Sequence, residues 1–340
     1  MDLYILNKAL ETIGIIDVYT SLIWNKKYFE CGDFELYLPV TSETIDLLSR
    51  DNYIIRDDDD AVMIIQNIEI TTDAENGNYL LVSGSSLESI LKRRIIWKQT
   101  TLNTTIESAI RTLVYENAIS PEITERAIPN LILDEVRNFS DTIKTQFTGD
   151  NVYETVMNLC ITYGLGWKIS FKNKKFVFDL YKGEDKSQTI IFSPEFDNLI
   201  NTKYQSNIEN YANVALIAGE GEGNQRKKQT IGDTSGLDRY EIFVDARDIS
   251  TNSEETISED EYNNLLIQRG REKLSECETT IVFEGEIETK NTFEDWHLGD
   301  IVQITNEYGI SAKSRIVGII ESDDASGHKI IPTFSEWGVI

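Results

Sequence analysis

Three glutamates at alternate positions could bring carboxylates side by side on one strand. Glu284, Glu286 and Glu288 alternate with apolar or small residues, and alternate side chains of a strand share one face. Two carboxylates about 5–9 Å apart are what a glycosidase uses. Such an enzyme also needs one carboxyl whose pKa is raised by a buried pocket, which a regular exposed strand face does not provide. The pattern therefore favours solvated acids over a metal or salt contact or a catalytic pair.

A glycine-rich loop could cradle a phosphate group, but its other residues argue against it. Gly219, Gly221 and Gly223 follow an apolar strand, with Glu220 and Glu222 between them. A phosphate site needs backbone N–H groups free of anions, usually at a helix N-terminus. The spacing also fits neither the dinucleotide nor the P-loop pattern. We therefore predict no nucleotide site here. The basic stretch that follows could bind phosphate, offset acids on a neighbouring subunit or solvate the loop, and consists of Arg226, Lys227 and Lys228.

Four consecutive aspartates could supply hard oxygen ligands for calcium. They are Asp57, Asp58, Asp59 and Asp60. Ligands in calcium loops alternate with spacers and include a glycine for the sharp turn, and both features are missing here. The run therefore favours a solvated hairpin tip, with a calcium site as the alternative.

The histidines and cysteines do not have the spacing of a metal or catalytic site. His297 and His328 are far apart, and no Gly-x-Ser-x-Gly elbow surrounds a serine. The three cysteines, Cys31, Cys160 and Cys277, are odd in number and widely separated. We predict plain buried or half-buried thiols, no metal, no cofactor and no catalytic residues. Leu298, Gly299 and Asp300 predict a turn that leads into a strand.

Composition bounds the class of protein. The 340 residues are 40% hydrophobic and 10% aromatic, as in a globular protein of two or three domains. No apolar run approaches the roughly 20 residues of a membrane span. The N-terminus lacks a basic region ahead of an apolar core, so we expect no secretion signal and assembly in a cytoplasm. The formal net charge of −26 repels nucleic acid.

The first 97 residues have the pattern of β-strands. Short segments at 19–24, 33–38, 53–56 and 61–65 alternate or run apolar between turn residues. A short helix is predicted over 41–50, with inward-facing Ile45, Leu47 and Leu48. Ser85 and Glu88 fit a capping box at the start of another helix.

Residues 98–190 change to helical spacing. Thr104 and Glu107 fit a further capping box, before apolar residues at helical intervals. A second helix is predicted from Asp150 or Asn151 to Gly164, followed by a hairpin at 168–181. The segment is expected to be a compact α+β insert.

Strands return over residues 191–340. They are predicted at 207–218, 239–245, 279–288, 301–305, 311–321 and 329–334. A helix over about 258–275 starts at the capping box of Ser258 and Glu261. We therefore predict an α+β, mostly β fold, with two small barrel-like β domains (1–97 and 191–340) flanking an α+β insert (98–190).

Several motifs, taken together, resemble the tail-hub proteins of siphophages. They are GDFELYLP at 32–39, SSLESILKRR at 85–94, YANVALIAGEGEG at 211–223, GLDRYEIFVDAR at 236–247 and LGDIV at 298–302. They occur in the family's order over nearly the whole chain. The family is similar to the baseplate-hub proteins of tailed phages and contractile tail-like particles.

The resemblance implies a structural role instead of an enzymatic one. It implies a homotrimeric ring of six β domains at the virion tail tip, between a sixfold tail tube and a threefold tip or spike. Expected partners are the tail-tube or distal tail protein, tip, spike or receptor-binding proteins and the tape-measure protein, with DNA passing through unbound. Candidates for subunit contacts or the channel wall are Glu284, Glu286, Glu288, Glu220, Glu222, Arg226, Lys227 and Lys228.

Two alternatives remain open from the residues. One is a tail-associated cell-wall glycosidase that acts through acids such as Glu284 and Glu286. The other is a calcium-dependent carbohydrate-binding β module that uses the aspartates at 57–60.

Overall fold

The computed structural model describes residues 1–73, 77–250, 258–277, 279–286, 295–309 and 311–335. The first block is mainly β, as predicted. Its elements are β1 (Leu3–Leu6), β2 (Thr12–Ile16), β3 (Ser21–Lys27), β4 (Asp33–Pro39), α1 (Ser42–Leu47), β5 (Tyr53–Arg56), β6 (Val62–Asp73) and β7 (Gly77–Ser86), followed by a 3-10 helix (Leu87–Arg93).

The insert combines helices with short sheets. Its elements are β8 (Thr100–Thr105), α2 (Ile106–Val114) with a π-helical extension (Tyr115–Ile119), a 3-10 turn (Thr124–Arg126), β9 (Leu131–Leu133), β10 (Thr142–Phe147), α3 (Val152–Tyr163), β11 (Gly166–Lys172) and β12 (Lys175–Tyr181). Helix α3 begins at the side-chain cap of Asn151 and ends at Gly164, whose φ of 64° suits glycine. Both ends confirm the prediction.

The third block contains the remaining strands and one long helix. They are β13 (Ile191–Phe192), β14 (Ile200–Asn207), β15 (Val214–Ala218), β16 (Lys228–Ile231), β17 (Glu241–Asp245), α4 (Glu259–Ser275), β18 (Thr280–Glu286), β19 (Ile301–Thr305), β20 (Ser311–Asp324) and β21 (Gly327–Phe334). Helix α4 starts at the predicted capping box of Ser258 and Glu261.

The two β blocks share one sheet. Its order is β14-β18-β21-β20-β3-β4-β7-β6-β5-β1-β2, with β19 and β13 branching from β20. The blocks join where β20 pairs with β3, from Gly318 opposite Lys27 to Asp324 opposite Ser21. The mostly β prediction is confirmed. Within the described ranges the sheet stays open and closes into no barrel, because β2 pairs only with β1.

The alternation of β4 explains why the sheet has one buried face. Phe34, Leu36 and Leu38 are at most 1% exposed, whereas Asp33 and Glu35 are exposed. The buried set belongs to a core that also contains Trp24, Leu80 and Val82, and the third block has a separate core around Phe334 and Trp296. Both of these cores lie on one side of the sheet. Beside β5 and β6 the other side is buried as well, because Val62 and Ile64 belong to the core of the insert.

Two smaller units complete the fold. In the insert, α2 and α3 pack with β11 and β12 around a core that includes Trp167 and Phe178. In the third block, α4 covers one face of the sheet β16-β15-β17, with Ile217, Val244 and Leu266 between them.

Some local predictions are wrong. The helix after residue 86 is a 3-10 helix without a side-chain cap bond, and Glu88 is buried and accepts the backbone N–H of Ile169 at 2.8 Å. The cap of α2 is Thr105, one residue later than predicted, since Glu107 instead accepts the N–H groups of Arg137 and Phe139.

Two further boundaries differ from expectation. Ile45 in α1 is 40% exposed and does not face inward, whereas Leu48 is buried. The strand predicted over 207–218 is interrupted, because β14 ends at Asn207 and β15 begins at Val214. The described residues include no helix that is both long enough and apolar enough to cross a membrane.

Candidate functional site

The face of the large sheet opposite the Trp24 core is covered by the insert only beside β5 and β6. Elsewhere it is polar, with more exposed acids than bases, and Lys329, opposite Ser322, is one of its exposed bases. One row across it runs through Ser322, Ile23, Glu35, Ser83 and Asn67, each opposite the next on the neighbouring strand. These side chains point away from the core that buries Trp24 and Leu36, because neighbours along a strand face opposite ways. Exposed acids on this face are Asp33, Glu35, Glu69 and Asp324. We call this surface the bare face.

One free edge of the sheet is the second half of β6. Strand β5 pairs with β6 only from Val62 to Ile64, and from Asn67 to Asp73 the only partner of β6 among the described strands is β7. Ile70 in this stretch is 49% exposed. An unpaired strand presents open N–H and C=O groups, so it can accept another strand.

The other free edge is β14, seven strands away. In the described part of the chain β14 pairs only with β18. Ile200 and Tyr204 on β14 are 43% and 47% exposed. From β14 to β6 the sheet therefore forms a continuous run of eight strands with apolar residues at both open edges.

The predicted glutamate row falls partly on this sheet. Glu284 and Glu286 lie on β18, where their backbones are opposite Lys203 and Ile200 of β14. Glu288 lies outside the described residues. The described part of the row, Glu284 and Glu286, is therefore next to the free edge formed by β14.

The glycine loop is the tip of the β15–β16 hairpin, held from within the chain. Arg226 donates to the carbonyls of Gly219 (2.8 Å) and Ala218 (2.6 Å) and also pairs with Asp245. The guanidinium is 5.6 Å from the ring centroid of Phe243. Arg226 therefore joins the tip to β17.

The neighbours of Arg226 lie on the same hairpin. Nζ of Lys227 is 4.8 Å from the ring centroid of Tyr262 on α4, and the backbone N–H of Glu220 donates to the Tyr262 hydroxyl. Glu222 and Lys228 are exposed. Of the three basic residues, only Lys228 is exposed, whereas Arg226 and Lys227 are half-buried.

The aspartate run connects the first block to the insert by an ion pair and pairs twice within the first block. Asp59 pairs with Lys26 of β3 at 2.6 Å, and Asp60 pairs with Lys168 of β11 at 2.5 Å. Asp58 pairs with Arg56 at 2.6 Å. Three carboxylates thus hold three different cations, so they do not converge on one ion. Asp57, Asp58 and Asp60 are exposed, as predicted for a hairpin tip, and the ion pairs also make this tip a junction with the insert.

Glu321 of β20 is the buried centre of this junction. Its carboxylate is 3.0 Å from Nζ of Lys26 and 2.8 Å from Nη2 of Arg56. Burial opposes ionisation of Glu321, but the charges of Lys26 and Arg56 outweigh it and lower its pKa. The pairs join the strands of the first block to β20.

The predicted turn at 298–300 is confirmed. His297, just before it, contributes its backbone N–H to the turn, and its side chain is exposed. Asp300 is buried and accepts the N–H groups of Glu184 (2.8 Å) and His297 (2.9 Å), while Gly299 has a φ of 98°. The His297 side chain is 71% exposed, and His328 is exposed on β21.

The cysteines are free thiols, as predicted. Cys160 is buried, and Cys31 and Cys277 are half-buried. Across the described ranges, no group of three or more His, Cys, Asp and Glu side chains is arranged to hold a metal ion.

Sequence reasoning missed the residues of the bare face. The alternation at 33–38 predicted an exposed face for Asp33 and Glu35, but only the pairing of β4 with β3 and β7 brings Glu69 and Asp324 onto it. It also missed Arg94 and Arg126, which are distant in sequence and adjacent in the fold.

Comparison with known proteins identifies relatives at the level of family and fold. Residues 2–334 match the model of a protein family described as Siphovirus ReqiPepy6 Gp37-like protein. No curated protein sequence matches the chain.

Several solved structures share the fold over nearly the full length. The tail protein from Neisseria meningitidis MC58 has a TM-score of 0.61 at 13% identity, over 98% of this chain and 96% of that chain. The 43 kDa tail protein of prophage MuSo2 from Shewanella oneidensis has a TM-score of 0.60 at 14% identity, over 99% and 98%. Prophage tail protein gp18 from Listeria monocytogenes EGD-e has a TM-score of 0.54 at 13% identity, over 98% and 94%.

Proposed function

Because the chain belongs to the Siphovirus ReqiPepy6 Gp37-like protein family, whose fold it shares with phage and prophage tail proteins, we propose that three copies form the hub ring of a tail tip. The observation that carries the proposal is the eight-strand run with two open edges and one bare face. Such a sheet lacks strand neighbours at both ends, and a ring of copies supplies them. Its polar face then needs no cover, because it can line a water-filled passage.

The ring closes by strand pairing between copies. The free half of β6 in one copy meets β14 of the next, so that the sheet continues around the ring. This contact is head-to-tail, and a head-to-tail contact gives a closed ring only if the rotation per copy closes. Ile70 on one edge, with Ile200 and Tyr204 on the other, supplies apolar area at the contact.

The bare face lines the passage for DNA. Its exposed acids Asp33, Glu35, Glu69 and Asp324 face the axis in this arrangement. A wall of negative charge repels the polyanion, so that DNA slides through without binding. The backbones of Glu284 and Glu286 lie on β18, the strand next to β14, and are therefore near the contact between copies.

The remaining parts serve assembly and not catalysis. The domains 1–97 and 191–340 each contribute strands to the ring, giving six β units that match a sixfold tail tube on one side and a threefold tip or spike on the other. The insert at 98–190 lies outside the ring. The tape-measure protein and the tip proteins are the further partners, and the site of action is the virion tail tip during genome ejection.

The mass of the purified chain in solution tests self-assembly. Light scattering at increasing concentration is expected to approach three times the 38.8 kDa of one chain. Ile70→Asp puts a charge into the contact and is expected to leave single chains with an unchanged circular dichroism spectrum. Ile45→Asp, at a comparably exposed isoleucine outside the contact, is the control and should still assemble. Wild-type chain that stays at 38.8 kDa up to its solubility limit would contradict the proposal.

A further inference from the structure

Arg94, near the end of the first block, contacts Arg126 of the insert, and among the described residues no carboxylate pairs with either arginine. Nε of Arg94 donates to the backbone carbonyl of Arg126 at 2.5 Å, and its Nη1 donates to the carbonyl of Arg93 at 2.9 Å. Nη2 of Arg126 donates to the carbonyl of Ile95 at 2.6 Å. Among the described residues, neither Arg94 nor Arg126 forms an ion pair. Backbone carbonyls fix both guanidiniums and leave their charges uncompensated.

Acids are abundant in this chain, whose net charge is −26. Many of its other arginines pair with them, as in Arg93–Asp51 (2.9 Å) and Arg269–Asp248 (2.9 Å), although Arg111 and Arg315 also donate to backbone carbonyls. Burial, together with the positive charges of Arg126 and Arg93, lowers the pKa of Arg94. The positive charge of Arg126 thus opposes that of Arg94, and an anion bound beside them would relieve this repulsion.

Exposed apolar side chains surround the arginine pair. Trp97 is 56% exposed, and Ile95 and Ile123 are each 40% exposed. The guanidinium of Arg126 is 4.9 Å from the ring centroid of Trp97, which holds the indole in place. Three other tryptophans, Trp24, Trp167 and Trp296, are at most 4% exposed. A fixed, exposed indole beside a cation is typical of an interface anchor.

We infer that the surface formed by Arg94, Arg126 and Trp97 docks a carboxylate-bearing segment of a neighbouring tail protein. A guanidinium is a planar fork that matches a carboxylate with two parallel hydrogen bonds. An aliphatic side chain of the same segment packs on Trp97, Ile95 and Ile123. Only the identity of the partner as a tail component rests on the proposed function. The binding chemistry is independent of ring formation.

Fluorescence anisotropy of a labelled peptide tests the docking surface. The probe is a short synthetic peptide with glutamates around one central leucine, and the matched peptide has glutamine at every glutamate. The full chain is expected to bind the acidic peptide and not the glutamine peptide, with affinity falling as salt rises. Arg94→Gln and Arg126→Gln should each weaken binding about tenfold or more.

Three further variants distinguish docking at this surface from non-specific electrostatic attraction of the acidic peptide to the chain. Arg126→Lys keeps the charge but loses the fork, so binding should still weaken. Trp97→Ala should weaken binding without changing the salt dependence. Arg247→Gln removes an exposed arginine already paired with Asp245 and should change nothing. Ile70→Asp should bind the peptide as the wild type does, so loss of the ring and loss of docking are distinguishable.

Other outcomes would overturn the inference. They are failure of the wild type to bind the acidic peptide, equal binding by Arg94→Gln and Arg126→Gln, and tighter binding of a labelled single-stranded oligonucleotide than of the peptide at equal salt. The last result would assign the surface to phosphate groups instead of protein carboxylates.

Discussion

Arg56 of β5 and Glu321 of β20 form a buried ion pair, with 2.8 Å between Nη2 and Oε2. Their side chains are 3% and 8% exposed. The pair bridges the first and third blocks beside the β3–β20 pairing that makes the sheet continuous. The two β blocks are therefore joined by charge as well as by backbone hydrogen bonds.

Glu321→Gln is expected to destabilise the fold. The substitution removes the buried carboxylate that Arg56 and Lys26 share, but Asp58 still pairs with Arg56 and Asp59 with Lys26. The loss is therefore expected to be about 1.5–3 kcal/mol, below the cost of a buried charge left without any partner. Urea unfolding of the variant and the wild type at neutral pH measures the loss.

The exposed pair of Lys98 and Glu122 provides the matched control. Both side chains are 70% exposed, so Glu122→Gln is expected to change the free energy of unfolding by about 0–1 kcal/mol. Equal effects of Glu122→Gln and Glu321→Gln would show that the junction does not hold the blocks together.

Glu272 makes the contact between α4 and the insert sensitive to pH. Burial raises the pKa of this carboxyl from 4.5 to about 7, against the opposing charge of Arg269. The folded state thus binds the proton more tightly than the unfolded state. The contribution of Glu272 to stability is therefore highest below about pH 4.5, falls as pH rises to about 7 and then stays lower by about 3 kcal/mol.

Glu272→Gln should remove this pH dependence and stabilise the chain at pH 8. Asp248 still holds Arg269 at 2.9 Å, so the lost contact with Glu272 at 3.8 Å leaves no bare charge. Unfolding midpoints in urea at pH 5, 6, 7 and 8 provide the measurement. Glu276→Gln, at the nearby half-exposed partner of Lys273, should leave the pH profile as in the wild type.

Reversing the charge of the bare face should make the assembled ring retain DNA. Replacing Asp33, Glu35 and Glu69 by lysine changes the wall of the passage from repulsive to attractive. Linear double-stranded DNA is expected to bind this triple variant at low salt, with affinity that falls steeply as salt rises.

The same change in net charge elsewhere is the control. Lysines at Glu154, Glu259 and Asp260, exposed at the starts of α3 and α4, alter the net charge equally but lie off the bare face. Equal DNA binding by both triple variants would place the passage elsewhere.

Much of the fold could be predicted because the local signals were strong. The alternation of Phe34, Leu36 and Leu38 with Asp33, Glu35 and Tyr37 defined β4. The Asn151 cap and Gly164 defined α3. Glu88 and Glu107 misled the prediction, because each has the spacing of a capping box but meets backbone N–H groups far away in sequence.

The candidate site was less predictable, since partners from distant segments define it. Arg226 belongs to a basic run, yet its charge is used inside the hairpin by Ala218, Gly219 and Asp245. The aspartate run likewise appeared solvent-facing, until folding brought Lys26 and Lys168 against it. The composition predicted that exposed surfaces would carry negative charge, but not where in the fold the bare face would lie.

Disulfide trapping across the two free edges tests the ring most directly. In a background with Cys31, Cys160 and Cys277 replaced by serine or alanine, Ile70→Cys is combined in turn with Lys203→Cys, Gln205→Cys or Asn207→Cys on β14. Mild oxidation at high protein concentration is followed by non-reducing electrophoresis. At one register we expect a product that stops at three chains, each of 38.8 kDa, and no product from Ile70→Cys alone. Dimers from Ile70→Cys alone, a ladder that grows beyond three chains, or no link at any register would contradict this expectation.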